Sequence, residues 1–131
     1  MAKSVIHDKS FHFALEIIEL YKKLQAEREY VLSRQLLRSG TSIGAHVEEA
    51  IAGQSRRDFL SKMAVASKEA RETRYWLVLL QKSKLTKTEL DPAIENIKEL
   101  IRILTSIVKT TSESPATQHS KFKIQHSKSA S

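Results

Sequence analysis

The chain has 131 residues, 40% of them hydrophobic and 28% charged, with a formal net charge of +7. That length bounds a single domain, and that balance excludes a wholly disordered chain. Cysteine is absent, which excludes disulfides, zinc ribbons, iron–sulfur clusters and a cysteine nucleophile.

With 3 Gly and 2 Pro, the chain lacks the turn formers that a sandwich or barrel of many short strands requires. No apolar run approaches the roughly 18–20 residues needed to cross a bilayer. The opening MAKSVIHDKSF has no long apolar stretch after its lysine and does not read as a secretory signal. The expected setting is the cytoplasm, away from membranes.

The pattern predicts four helices and a tail. Residues 1–9 read as a lead-in. The first helix is expected over about residues 10–28, capped by Asp8 or Ser10. It carries two apolar stripes at helical spacing, Phe11, Ala14, Leu15, Ile18 and Tyr21 on one and Phe13, Ile17, Leu20 and Leu24 on the other.

The second helix is expected over about residues 29–52. Leu32, Leu36, Ile43, Val47 and Ala50 form its apolar face, and Gly53 suits its C-cap. Ser39, Gly40, Thr41, Ser42 and Gly44 interrupt it with small residues. Glycine inside a helix costs about 1 kcal/mol against alanine, so this stretch predicts close packing of a neighbouring backbone or a bend. A phosphate-cradling loop is the weaker reading, because no strand precedes it and no P-loop Lys-Ser/Thr pair follows.

The third helix is expected from Ser55 to about Ser83. Ser55-Arg56-Arg57-Asp58 resembles a capping box. Phe59, Met63, Ala66, Ala70, Thr73, Leu77 and Leu80 then alternate steps of 4 and 3, an a/d seam with alanines that permit close approach. The fourth helix opens at the capping box Thr86-Lys87-Thr88-Glu89, or slides to Asp91 because Pro92 is tolerated only in a first turn.

It runs to about Thr110 with two seams. One is Leu90, Ile94, Ile97, Ile101, Leu104 and Val108; the other is Ala93, Ile97, Leu100, Leu104 and Ile107. Residues 1–110 thus form the domain, and residues 111–131, rich in Ser, Thr, Lys and His, read as a flexible basic tail. Short connections predict an all-α, antiparallel up-down-up-down four-helix bundle. The doubled stripes on the first and fourth helices mark either a thick core or a subunit interface.

Charge is uneven. Residues 1–54 and 85–110 are each neutral, residues 55–84 carry a net +5 and residues 111–131 a net +2. At about 100° per residue, Arg56, Arg57, Lys68, Arg71, Arg74 and Lys82 fall within an arc of roughly 120°, about 130° from the core seam. Asp58, Glu69 and Glu72 collect on another flank beside Tyr75 and Trp76.

A helix without a task usually intermixes its signs for i,i+4 pairing, whereas a one-sided basic stripe is the footprint of a polyanion partner. A solvated face is the competing reading. Tyr75 and Trp76 suit packing at a helix or subunit contact better than stacking on bases.

Catalytic constellations are absent from the spacing. A di-iron bundle needs Glu-x-x-His on two helices, and the chain has none; His46-x-x-Glu49 is reversed and single. His12 and Glu16 lie one turn apart without a matching cluster, and His119 and His126 stand isolated in the tail. His46 beside Glu48 and Glu49 reads as helix surface or a structural polar contact. The expectation is no enzyme, no cofactor and no metal.

The stretch QLLRSGTSIGAHVEEAIAGQSRRDFLSKMAVASKEARETRYWLVLL, residues 35–80, resembles the four-helix-bundle family of the 23S rRNA intervening-sequence proteins. DKSFHFALEIIELYKKL, residues 8–24, is similar to that family's first helix, and the likeness spans about residues 5–110. It rests on Ser42-Ile43-Gly44-Ala45, Glu48-Glu49-Ala50, the opening from Ser55 to Phe59, and Glu69-Ala70-Arg71-Glu72 followed by Tyr75-Trp76-Leu77. His46 departs from the pattern, where asparagine is expected.

The resemblance implies a homopentamer of up-down bundles. Some relatives are encoded inside rRNA intervening sequences, and a similar protein is the basic, ring-shaped accessory factor of diversity-generating retroelements, working with a reverse transcriptase and nucleic acid. The family has no established catalytic activity.

Together these readings predict a non-enzymatic oligomer that binds RNA or DNA non-specifically through Arg56, Arg57, Lys68, Arg71, Arg74 and Lys82. The alternative is a protein-interaction scaffold, or an accessory subunit of a partner such as a reverse transcriptase, with no affinity for nucleic acid of its own.

Overall fold

The computed structural model describes residues 2–113, with side chains from Val5 onward. Four helices account for them, α1 (Ala2–Ala26), α2 (Leu32–Ala52), α3 (Arg56–Ser83) and α4 (Asp91–Ser112), with no strand among the described residues. Of the expected tail, residues 111–113 are described, with α4 continuing to Ser112, and residues 114–131 lie outside the described residues.

The first helix begins earlier than expected and uses neither Asp8 nor Ser10 as a cap. Its buried line runs Ile6, Ser10, Phe13, Ile17, Leu20, Leu24 at alternating steps of 4 and 3, so helical burial starts a full turn before Ser10. The polar Ser10 is 1% exposed, and its hydroxyl donates back to the His7 carbonyl at 3.2 Å.

The helix ends where Arg28 takes φ 65°, in the left-handed region. Glu29, expected inside α2, instead caps it. Its carboxylate accepts from the amides of Val31, Leu32 and Ser33 at 3.2, 3.0 and 2.6 Å, serving amides that otherwise lack partners.

Close packing is the role of the small residues in α2. A Cβ on Gly40 would sit 2.9 Å from both Cγ atoms of buried Ile17, and one on Gly44 would lie 3.4 Å from the Ser10 carbonyl oxygen. One turn apart, the two glycines let α2 lie against α1. Ser39 contributes a second small contact toward α3, accepting from the buried Thr73 hydroxyl at 3.0 Å. Gly53 does cap α2, in extended geometry (φ −66°, ψ 156°), with its amide donating to Ala50.

Ser55 caps α3 as expected, its hydroxyl accepting from the Asp58 amide at 3.0 Å. The α3 seam is buried from Met63 to Leu80, and Phe59 is half-buried at its start. The Thr86–Glu89 box does not start α4. Its hydroxyls serve another helix: Thr86 and Thr88 both donate to Glu27 at the end of α1, as does the Lys87 amide at 3.2 Å. Pro92 then sits in the first turn of a helix that opens at Asp91.

Each helix packs on its sequence neighbours, and α4 also packs on α1. Ion pairs and hydrogen bonds mark the seams: His7–Glu48 between α1 and α2, Arg38–Glu72 between α2 and α3, Arg71–Thr105 between α3 and α4, and Lys9–Glu99 between α1 and α4. Both α4 stripes enter the core, apart from half-buried Val108. Of the doubled stripes, it is the one on α1 that stays in the open, where Phe11 is 58% and Leu15 46% exposed.

Candidate nucleic-acid interface

Helix α3 carries two kinds of charge, and the fold treats them differently. Glu69 and Glu72 turn toward α2 and meet one guanidinium. Arg38 Nη1 lies 3.3 Å from Glu69 Oε1, and Nη2 lies 2.5 Å from Glu72 Oε2. Glu72 also accepts from the Trp76 indole N–H at 3.0 Å. The Arg38 guanidinium, and after it the Trp76 indole, hold the Glu72 carboxyl below the usual carboxylate range against the opposing effect of burial. Another α3 cation, Lys62, is likewise taken up by α2, 3.8 Å from Glu49.

The six stripe residues have no such neighbour. Arg56, Arg57, Lys68, Arg71 and Lys82 are exposed and Arg74 is half-buried. No ion pair to any of them occurs among the described residues. Arg71 donates to the Thr105 hydroxyl of α4 at 3.0 Å, which leans that cation across the α3–α4 seam.

That contact identifies a second row of cations. On α4, Lys98, Arg102, Thr105 and Lys109 follow one another at steps of 4, 3 and 4, a single line on a helix. All four are exposed. Lys98 is partly spent on Glu95 at 3.4 Å, and Arg102 and Lys109 have no acidic partner among the described residues. The basic surface therefore spans two helices. Sequence reasoning missed the α4 row because α4 is neutral in sum; the periodicity of its cations was the available signal.

Tyr75 and Trp76 part company. Trp76 is packed at the α2–α3 seam, as expected of a large aromatic, with its N–H bound to Glu72. Tyr75 is 58% exposed, and its ring meets the indole edge to face with centroids 5.0 Å apart. About 100° separates consecutive helical residues, which places Tyr75 within the basic arc and Trp76 among the acids.

The histidines among the described residues hydrogen-bond to two helix carbonyls and one carboxylate. His46 Nδ1 donates to the Ser42 carbonyl of its own helix at 2.8 Å, a structural polar contact, and His12 does the same to Asp8 at 2.8 Å. Glu16, paired with His12 by spacing, instead accepts from Asn96 at 2.9 Å. His7 donates to Glu48 at 2.6 Å beside a groove of about 240 Å³ that Ser10, Phe11 and Thr41 also line. Residues 41 positions apart make that pair, beyond the reach of local spacing. Among the described residues no three His, Asp or Glu side chains gather as metal ligands, and no helix is long and apolar enough to cross a membrane.

The profile of the 23S rRNA-intervening sequence protein family matches residues 2–106. The chain belongs to this family. The match runs from the start of α1 into the last turns of α4, so it takes in every ion pair and hydrogen bond between helices described above.

A crystal structure from Bacteroides thetaiotaomicron, described as a protein of unknown function from the S23 ribosomal protein family, is similar to this intervening-sequence family member. The two share 46% sequence identity with a TM-score of 0.80, over 84% of this chain and 100% of that one. No curated protein matches the chain.

Proposed function

We propose that this intervening-sequence family protein is a non-enzymatic, cytoplasmic oligomer that binds RNA or DNA without sequence specificity. Binding runs through Arg56, Arg57, Lys68, Arg71, Arg74 and Lys82 of α3, with Arg102 and Lys109 of α4 beside them. One observation carries this reading: the glutamates of α3 are drawn onto Arg38, while the stripe cations keep no carboxylate among the described residues. Unneutralised cations on one face gain most from a phosphate backbone, because binding releases condensed counterions.

The seam contacts support an up-down-up-down bundle in which α4 closes on α1. Exposed Phe11 and Leu15 support self-association, as the homopentamer expected of the family. A closed ring would repeat the stripe and add its phosphate contacts.

The deciding experiment titrates the protein into labelled structured RNA and duplex DNA across a salt series. Affinity is expected to fall steeply with salt, with a log–log slope of about −0.9 per phosphate neutralised on duplex. Changing Arg57, Lys68, Arg71 and Lys82 together to Glu is expected to abolish binding while light scattering still reports the intact oligomer. Retained binding rejects the stripe. No affinity by the unmodified protein even at low salt rejects nucleic acid altogether and leaves a scaffold or accessory subunit whose partner is a protein.

A further inference from the structure

Resting on that reading, we infer that Tyr75 is a base-stacking platform within the cationic face, which makes the surface select unpaired nucleic acid over duplex. The ring has no structural employment that explains its position. It is 58% exposed, it contributes nothing to the core, and its one ring contact among the described residues is with Trp76. That contact makes it a firm platform. Trp76 is pinned by Glu72, which is pinned by Arg38, so the indole beside Tyr75 is fixed from a neighbouring helix.

The surroundings supply the other half of a single-strand site. Lys68, Tyr75 and Lys82 repeat at seven-residue spacing, which sets them almost in line, about 10 Å apart. Arg71 stands one turn before Tyr75, about 6 Å along the axis. A strand lying on α3 thus meets cation, ring and cation in order.

Sequence-tolerant single-strand binding has this composition: positive charge tracks the backbone while aromatic faces take bases of any kind. A duplex offers its phosphates to the same cations but keeps its base faces inside the stack. The ring adds nothing to duplex binding.

The test compares Tyr75→Ala and Tyr75→Phe with the unmodified protein, using short oligo-dT and a duplex of equal length at one salt concentration. Tyr75→Ala is expected to weaken oligo-dT binding roughly 5-fold or more, the usual loss on removing one stacked ring. Tyr75→Phe keeps the π face and should retain affinity. Duplex affinity, the salt slope and the oligomer mass should stay unchanged. Equal loss on both probes, no loss on either, or a change in oligomer mass on Tyr75→Ala overturns the inference while leaving the cationic stripe standing. Failure of the unmodified protein to bind either probe removes the parent reading and this one with it.

Discussion

The two flanks of α3 are built from the same materials and end in opposite conditions. On the α2 side, Glu69 and Glu72 share one guanidinium from across the seam, and the Trp76 indole donates to Glu72 within α3. On the outward and α4 side, Arg71 meets a threonine hydroxyl, and no stripe cation forms an ion pair among the described residues. The difference comes from the neighbour. Arg38 projects from α2 and neutralises the acids, and α4 answers the cations with more cations at Arg102 and Lys109. Charge on a helix becomes structural or available according to what the adjacent helix presents.

The strongest way to break this contrast is to displace α2. Gly40 lies two residues from Arg38 and gives α2 its close seat on Ile17. Gly40→Leu should cost about 3 kcal/mol, the upper part of the range for overpacking a tight core contact. Urea unfolding followed by Trp76 fluorescence checks it, and a cost near zero would mean that α2 is free to shift.

A smaller break removes the guanidinium alone. Arg38→Met should cost about 1 kcal/mol, since the pairs are partly exposed and partly screened, while increasing solvent access to Trp76. Acrylamide quenching of the indole reads that change directly. Unaltered quenching would show that the indole is held by packing alone.

The finest probe is pH. Because the Glu72 carboxyl is depressed in the folded protein, its contribution is fully present above the ordinary glutamate value of ~4.3. It is lost as pH falls through the lower folded value. Acidification from neutrality should therefore cost the unmodified protein a few tenths of a kcal/mol more than Arg38→Met. Parallel stability curves would separate Glu72 titration from Arg38.

Much of this was legible in the residues. The α3 seam, its Ser55 cap and the close approach at the α2 glycines are local patterns with one physical solution each. Three features were not, for separate reasons. The start of α1 was hidden by Ser10, a polar residue that can be buried because its hydroxyl returns to its own helix. The Thr86 box matched a cap, yet its hydroxyls had a better acceptor in Glu27, 59 residues away for Thr86. Tyr75 and Trp76 read as one aromatic pair because they adjoin in sequence, although a helix sends adjacent residues in different directions. Of the stripe residues Arg74 is half-buried and the other five are exposed; the cation row beside them on α4 was signalled by its periodicity and is joined to them by the Arg71–Thr105 contact.

The closure of α4 onto α1 has a consequence for how the chain is made. Contacts between successive helices form across short connections, but Lys9–Glu99 and Glu16–Asn96 join residues 90 and 80 positions apart. Such distant pairs carry the largest loop-closure cost and form late. During synthesis α1, α2 and α3 emerge first, with the α4-facing side of their core still wet. A ribosome stalled before Asp91 thus holds a chain with exposed apolar surface, the kind of species that aggregates or recruits a chaperone. The last 22-residue helix is the lid on the core, and translation must reach its end before the molecule is safe.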